Sequence, residues 1–233
     1  MSLSLSQVSL SYPDGDAGRV HAVDQVSLHV PAGTVTALTG PSGCGKSSVL
    51  AVAGTLIQPD SGVVSIDGVD VGELREAQRA QVRRDQIGFV FQNDNLLPDL
   101  TVIEQLLLVA HLRGQRPARH RAEAHDLLDR VGLGGQADKL PRQLSGGMRQ
   151  RVNIARALMG PRSVLLIDEP TSALDQARGR DIVELIVGLC HERDLAALLV
   201  THDLATLNVG GAGGVDALVH MLDGRLEQDA LVS

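Results

Sequence analysis

Aromatic residues are almost absent: they make up 1% of the 233 residues, with one tyrosine, two phenylalanines and no tryptophan. A core must therefore be packed from Leu, Val, Ile and Ala, and at 43% hydrophobic residues there is enough material for one. Long apolar runs are missing too. The longest, Leu106–Ala110 and Leu195–Val200, fall far short of the ~20 residues that cross a bilayer; they suit a buried helix face and a buried strand. The opening MSLSLSQVSL alternates polar and apolar residues without a basic flank, which reads as a strand and not as a secretory signal. Cysteine is scarce, and Cys44 and Cys190 fit reduced thiols better than a disulfide framework. Positive charge is in deficit, 21 Lys and Arg against 28 Asp and Glu for a net −7, so nonspecific DNA binding is disfavoured and no nucleic-acid partner is expected. These absences predict a soluble, cytoplasmic protein that would serve a membrane only through a partner.

What is present has the rhythm of an α/β domain. Residues 3–12 alternate as a half-buried strand does, Pro13–Gly18 reads as a turn, and Val20–Val30 as a second strand. Thr34–Thr39 is a short apolar run, followed by a glycine-rich loop and a helical stretch over Ser47–Ala53. Further strands are expected at Val63–Ile66, Ile87–Phe91, Ser163–Ile167, Ala196–Thr201 and Asp216–Leu222. Helical periodicity is expected over Val102–Leu112, Arg119–Val131, Gly147–Met159 and Ala177–Cys190. The stretch from about 95 to 160 thus reads as helices inserted between strands. The run Gly210-Gly211-Ala212-Gly213-Gly214 looks the least structured.

The loop after Thr39 reads Gly40-Pro41-Ser42-Gly43-Cys44-Gly45-Lys46-Ser47, a full match to G-x-x-x-x-G-K-[ST]. Glycines let successive backbone N–H groups close on phosphate oxygens, and the following helix turns its positive end to the same anion. Lys46 would reach the β- and γ-phosphates, and the Ser47 hydroxyl would ligand Mg²⁺. Further on, the apolar strand Val164–Ile167 ends in Asp168-Glu169. The C-terminal end of a buried parallel strand is where sheets of this class hold ligands. Asp168 is the candidate for the Mg²⁺ shell, and Glu169 for polarising the attacking water.

The segment that narrows the family is Leu144-Ser145-Gly146-Gly147-Met148-Arg149-Gln150. Ser145 is a natural N-cap, and the two glycines leave a helix N-terminus open to an anion. L-S-G-G-x-x-Q resembles the signature of the ATP-binding cassette (ABC) family, and its spacing from the phosphate loop and the acidic strand is similar to that family's. The resemblance covers nearly the whole chain. It implies an α/β fold: a P-loop NTPase core with a parallel sheet, an N-terminal antiparallel β region and an inserted helical lobe. One ABC ATPase domain would fill 1–233, with 1–94 and 146–233 as the nucleotide-binding core and 95–145 as the lobe.

The resemblance further implies ATP and Mg²⁺ as ligands and ATP hydrolysis as the activity. Gly40, Pro41, Ser42, Gly43, Cys44, Gly45, Lys46, Ser47 and Ser48 would cradle the nucleotide; Ser48 stands where threonine is common. Tyr12 matches the aromatic that stacks on adenine, and Gln92 the glutamine that contacts Mg²⁺ and water and faces a membrane partner. Asp175, in Ser172-Ala173-Leu174-Asp175, matches the loop that crosses a dimer interface, and His202 matches the histidine that contacts the γ-phosphate and orients Glu169. Glu169, His202, Lys46 and Gln92 would carry catalysis, and Ser47, Gln92 and Asp168 the metal. Gln150 of the signature would also bind nucleotide, and two cassettes would sandwich two ATP molecules, with Ser145, Gly146 and Gly147 serving the partner's. The implied partners are a second copy and an integral membrane permease. Met148 departs from a frequent polar residue of the signature.

The stretch from Gln92 to Glu104 and the loop 13–20 resemble the lipoprotein-release and macrolide-export branch. That implies export or lipoprotein release, or gating of a cell-envelope remodelling complex without cargo. Chromosome-maintenance relatives carry a long coiled coil that 93–143 is too short to hold, and ribosome-associated relatives usually carry two cassettes. Leu96, Leu97 and Leu100 around Pro98 are expected to be partly exposed and to meet the partner, with core packing as the other reading. Cys44 reads either as a small residue that fits the loop or as a thiol whose alkylation blocks nucleotide binding.

Overall fold

The computed structural model describes residues 2–13 and 18–227. Residues 14–17, the middle of the turn expected over 13–18 and half of the loop 13–20, lie outside the described residues. Strands β1 (Ser2–Pro13) and β2 (Arg19–Pro31) pair antiparallel, with Tyr12 opposite Val20. They lead into β3 (Thr34–Thr39) and helix α1 (Lys46–Ala53). Next come β4 (Ser61–Ile66), β5 (Val69–Asp70), α2 (Glu76–Gln86) and β6 (Ile87–Val90). The helices α3 (Val102–Leu112), α4 (Arg121–Arg130) and α5 (Gly146–Ala157) separate β6 from β7 (Val164–Asp168). The chain closes through α6 (Gln176–Arg193), β8 (Ala196–Val200), β9 (Ala217–Leu222) and β10 (Arg225–Leu226).

Two sheets result, one in the order β2-β1-β4-β5 and the other in the order β10-β9-β3-β8-β7-β6. In the second, β9, β3, β8, β7 and β6 run parallel. Successive side chains of a strand point to opposite faces, and the central strands divide their apolar residues accordingly. Val164 and Leu166 of β7, with Leu198 and Val200 of β8, join Leu3, Leu5, Val49, Leu50 and Ile66 in a core between the two sheets. Leu165 and Ile167, with Ala197 and Leu199, join Leu106, Leu127, Ile154 and Ile186 beneath α3 to α6. Both faces are covered, which is why these strands read as continuous apolar runs. Two of the three aromatics, Phe89 and Phe91, stack with centroids 4.5 Å apart, although Phe91 lies just past the end of β6. Among the described residues no helix is long and apolar enough to cross a membrane.

Three features depart from the sequence reading. Helix α2 was not foreseen; it buries no residue fully, so it leaves no apolar stripe to detect. Helix α4 begins at Arg121, because a 3₁₀ turn over Pro117–His120 precedes it. The glycine run is a closed turn: Gly210 N donates to Val215 O at 3.0 Å and Asn208 Nδ2 to Ala212 O at 3.2 Å. Leu207 and Val215 anchor it, fully buried.

Candidate functional site

The phosphate-type loop leaves β3 and enters α1 at the C-terminal end of the parallel sheet. Its shape depends on glycine at two points. Gly40 has φ 148° and Gly45 φ 108°, and a Cβ would come within 2.2 Å of the Met221 carbonyl oxygen at the first and 1.9 Å of the Ala22 carbonyl oxygen at the second. Gly45 is also the N-cap of α1, so no side chain caps the helix, and no acidic residue stands in its first turn. The amide dipoles at that end are left for an outside anion. Lys46 is buried, and its Nζ donates to Gly40 O at 2.7 Å and Pro41 O at 2.9 Å. A positive charge is thus held inside the loop, at the open end of the helix.

The acids arrive on β7. Glu169 takes φ 45°, a left-handed conformation that costs a non-glycine residue of order 1 kcal/mol and turns the chain sharply off the strand. Its backbone N–H donates to Val200 O at 2.9 Å, fixing it against β8. The carboxylate is held from two sides: Nδ1 of His202 lies 2.8 Å from Oε1, and the Thr201 hydroxyl donates to Oε2 at 3.3 Å. Burial, and then the neighbouring Glu169, push the Asp168 carboxyl above its ordinary pKa, while Lys46 pulls it down. An acid in that position gains from a nearby cation.

One cavity of about 350 Å³ is lined by Ser42, Gly43, Gly45, Lys46, Ser47, Ser48, Gln92, Asp168, Glu169 and His202, together with Ala22 and Val200. Ten residues singled out in the sequence, drawn from four distant segments, therefore share one space. Gly40 and Pro41 shape it from behind through their carbonyls on Lys46. Cys44 lies in the loop with its side chain 5% exposed, among the residues packed between the sheets. Of the two readings of Cys44, this burial favours the small residue that fits the loop.

Other expected residues lie elsewhere. Tyr12, 41% exposed, sits far up the β1–β2 hairpin and does not line the cavity. Ser145 caps α5, its hydroxyl accepting from Met148 N at 3.3 Å. With Gly147, Leu174 and Arg178 it lines a second cavity of about 250 Å³ that shares no lining residue with the first. Asp175 caps α6 beside it, accepting from Arg178 N at 3.0 Å. Gln150 is 6% exposed and lines a third cavity of about 180 Å³, shared with Gln92, Gly146 and Leu174. Met148 is partly buried against the helical core, which gives an apolar residue a place in the signature.

Several contributors escaped the sequence reading. Ala22 touches the loop through its carbonyl, and Thr201 steadies Glu169; neither belongs to a motif. Gln105, fully buried on α3, fixes the turn that carries Leu97. It donates to Leu97 O at 2.6 Å and Leu100 O at 3.1 Å, and accepts from Leu97 N at 3.2 Å. That turn leaves Leu97 46% exposed, while Leu96 packs against the core.

The donor set also bears on Mg²⁺. Among the described residues no group of three or more His, Cys, Asp and Glu could hold a metal. A site with one carboxylate (Asp168), one hydroxyl (Ser47) and one amide (Gln92) in the same cavity fits a small, hard cation that takes its remaining oxygens from a phosphate and water.

The model of the family described as "ABC transporter" matches residues 23–172. Over 226 residues the chain is 41% identical to the lipoprotein-releasing system ATP-binding protein LolD of Shewanella denitrificans, covering 97% of itself and 94% of that protein. It is also 41% identical over 211 residues to the macrolide export ATP-binding/permease protein MacB of Rhodospirillum rubrum, where it covers 91% of itself but 32% of the relative, about a third of its length. Among solved structures, the dimer of the ATP-binding cassette MJ0796 in a post-hydrolysis state with ADP and Pi superposes with a TM-score of 0.85. The identity is 34%, and 99% of each chain is covered.

Proposed function

Because this chain belongs to the ABC transporter family and is an ABC-type ATPase cassette, we propose that its 350 Å³ cavity takes the triphosphate of Mg-ATP, and that the cassette drives a membrane permease of the lipoprotein-release or export type. The observation that carries the nucleotide reading is the convergence of Lys46, Ser47, Gln92, Asp168, Glu169 and His202 on one space.

Lys46 and the open end of α1 bind the β- and γ-phosphates. Ser47, Asp168 and Gln92 would hold Mg²⁺, which offsets phosphate charge when bound. Glu169 accepts a hydrogen bond from a water placed against the γ-phosphorus. His202, already in contact with Glu169 at 2.8 Å, keeps that carboxylate in place and reaches toward the γ-phosphate. The attacking oxygen forms a bond to phosphorus while the β–γ bridging oxygen leaves as part of ADP.

A second copy completes the site. Ser145, Gly146 and Gly147 at the open end of α5, with the Asp175 loop beside them, would close on the partner's nucleotide. That Ser145 and Gly147 line a cavity sharing no residue with the phosphate cavity supports this, as does the dimeric assembly named for MJ0796. Loss of the bridging γ-phosphate would loosen the pair and move the permease. The LolD and MacB relatives support the branch, and the exposed Leu97 supports a docking role for the 95–145 lobe. On this reading the cassette sits on the cytoplasmic face of a membrane through its permease.

Phosphate release from ATP, measured with Mg²⁺ and with the metal chelated, tests the reading. Turnover that needs the metal and disappears in Lys46→Ala is the expected result. Turnover unaffected by Lys46→Ala would contradict it.

A further inference from the structure

Helix α5 presents one face to the loop that carries Gln92. Arg149 Nε donates to Asp94 Oδ2 at 2.8 Å, and its Nη1 donates to Leu144 O at 2.9 Å. One guanidinium thus joins the Gln92 loop to the residue immediately before the cap Ser145. A turn further along, Asn153 Nδ2 donates to Phe91 O at 3.0 Å. Arg156 then donates to Asp94 O at 2.8 Å and Asn95 O at 2.9 Å. Positions 149, 153 and 156 share a side of the helix by their spacing, and they grip the loop on both sides of Gln92.

These contacts differ in kind. Asn153 and Arg156 hold backbone carbonyls and fix where the loop runs. Arg149 with Asp94 is an ion pair between side chains, and among the described residues no other ion pair joins the loop to α5. Its partners are 37% and 31% exposed, so it adds little to stability. What it does is geometric. It ties the segment that delivers Gln92 to the phosphate cavity to the helix end that presents Ser145 and Gly147 to the second cavity. The two groups meet again in the small cavity lined by Gln92, Asp94, Gly146, Arg149 and Gln150.

We infer that Arg149 and Asp94 form a positioning latch that keeps Gln92, serving one ATP, in register with Ser145–Gly147, serving the other. This rests on the sandwich-dimer reading. The latch makes the placement of one site's glutamine depend on the closure of the other site, through a rigid helix face.

A double-mutant cycle tests it. The parent is the full chain carrying Glu169→Gln. Asp94→Ala, Arg149→Ala and the double substitution are compared by light scattering across an ATP titration, alongside ADP titration and thermal melting of each. If the latch acts as a unit, each single raises the ATP needed for half-maximal dimer by about tenfold, and the double by no more than either single. ADP affinity and melting temperature stay near the parent's. Independent effects, compounding to about a hundredfold in the double, would overturn the latch. So would singles that dimerise as the parent does, or that lose ADP affinity in parallel. A parent that forms no ATP-dependent dimer would bring down the sandwich reading and the latch together, whereas a normal parent with indifferent singles removes the latch alone.

Discussion

Glu169 and His202, 33 positions apart, meet at 2.8 Å between Oε1 and Nδ1 at the mouth of the phosphate cavity. The histidine follows β8 and the glutamate follows β7, so neighbouring parallel strands deliver them to the same edge. Removing the imidazole should leave the Lys46 loop intact but free the carboxylate. His202→Ala should bind ATP as the parent does and lose about a hundredfold in kcat. Steady-state phosphate release set beside a nucleotide titration separates the two effects.

Asp168 gives a prediction with a defined sign. Its pKa is raised, by burial first and Glu169 second. A carboxyl with a raised pKa favours the folded state while protonated, and that advantage is lost as pH climbs from the unfolded value through the folded one. At neutral pH the penalty of the buried charge is therefore fully present. Asp168→Asn should melt higher than the parent without ligand at neutral pH, with the gap closing toward acid. The same variant should lose the extra melting stability that Mg-ATP confers on the parent. Calorimetry across the acid-to-neutral range, with and without Mg-ATP, checks both halves.

Gly45 tolerates no side chain. At φ 108°, with the Ala22 carbonyl 1.9 Å from any Cβ, alanine must displace either the loop or β2. Gly45→Ala should cost about 1–3 kcal/mol in stability and abolish nucleotide binding, as read by denaturant unfolding and ADP titration. Gly43, where a Cβ would meet nothing within 4 Å, is the control of smaller effect, since only its φ of 81° opposes substitution.

Gln105 is the buried support of the exposed Leu97 turn. Gln105→Leu would leave the Leu97 and Leu100 carbonyls and the Leu97 N–H without their partner. About 2–3 kcal/mol of stability should be lost. Hydrogen exchange should quicken at 97–100 and stay slow at the phosphate loop, localising the damage to the turn.

Much of this was legible in the chain, for identifiable reasons. The order β3, loop, α1 was readable because glycine spacing and an apolar strand are local signals, and β7 because four consecutive residues, Val164 to Ile167, face two cores. Helix α2 was not, since it buries no residue fully, and β5 and β10 are two residues each, too short to show a period. The same division runs through the site. Lys46, Ser47, Asp168 and Glu169 sit in contiguous motifs. Ala22, Thr201, Gln105 and the Arg149–Asp94 pair act through contacts that join distant segments, and no spacing rule announces them. Tyr12, matched to the aromatic that stacks on adenine, lies outside the lining of the phosphate cavity.

The central claim is a cassette that closes on ATP with a second copy and uses Glu169 to open again. Light scattering of Glu169→Gln with Mg-ATP tests it most directly, because the amide keeps the shape of the carboxylate without its charge. The account predicts a dimer that forms only with ATP, persists because turnover is lost, and dissociates when ATP is replaced by ADP. A monomer under every condition, or a variant that turns over ATP as fast as the parent, would contradict it.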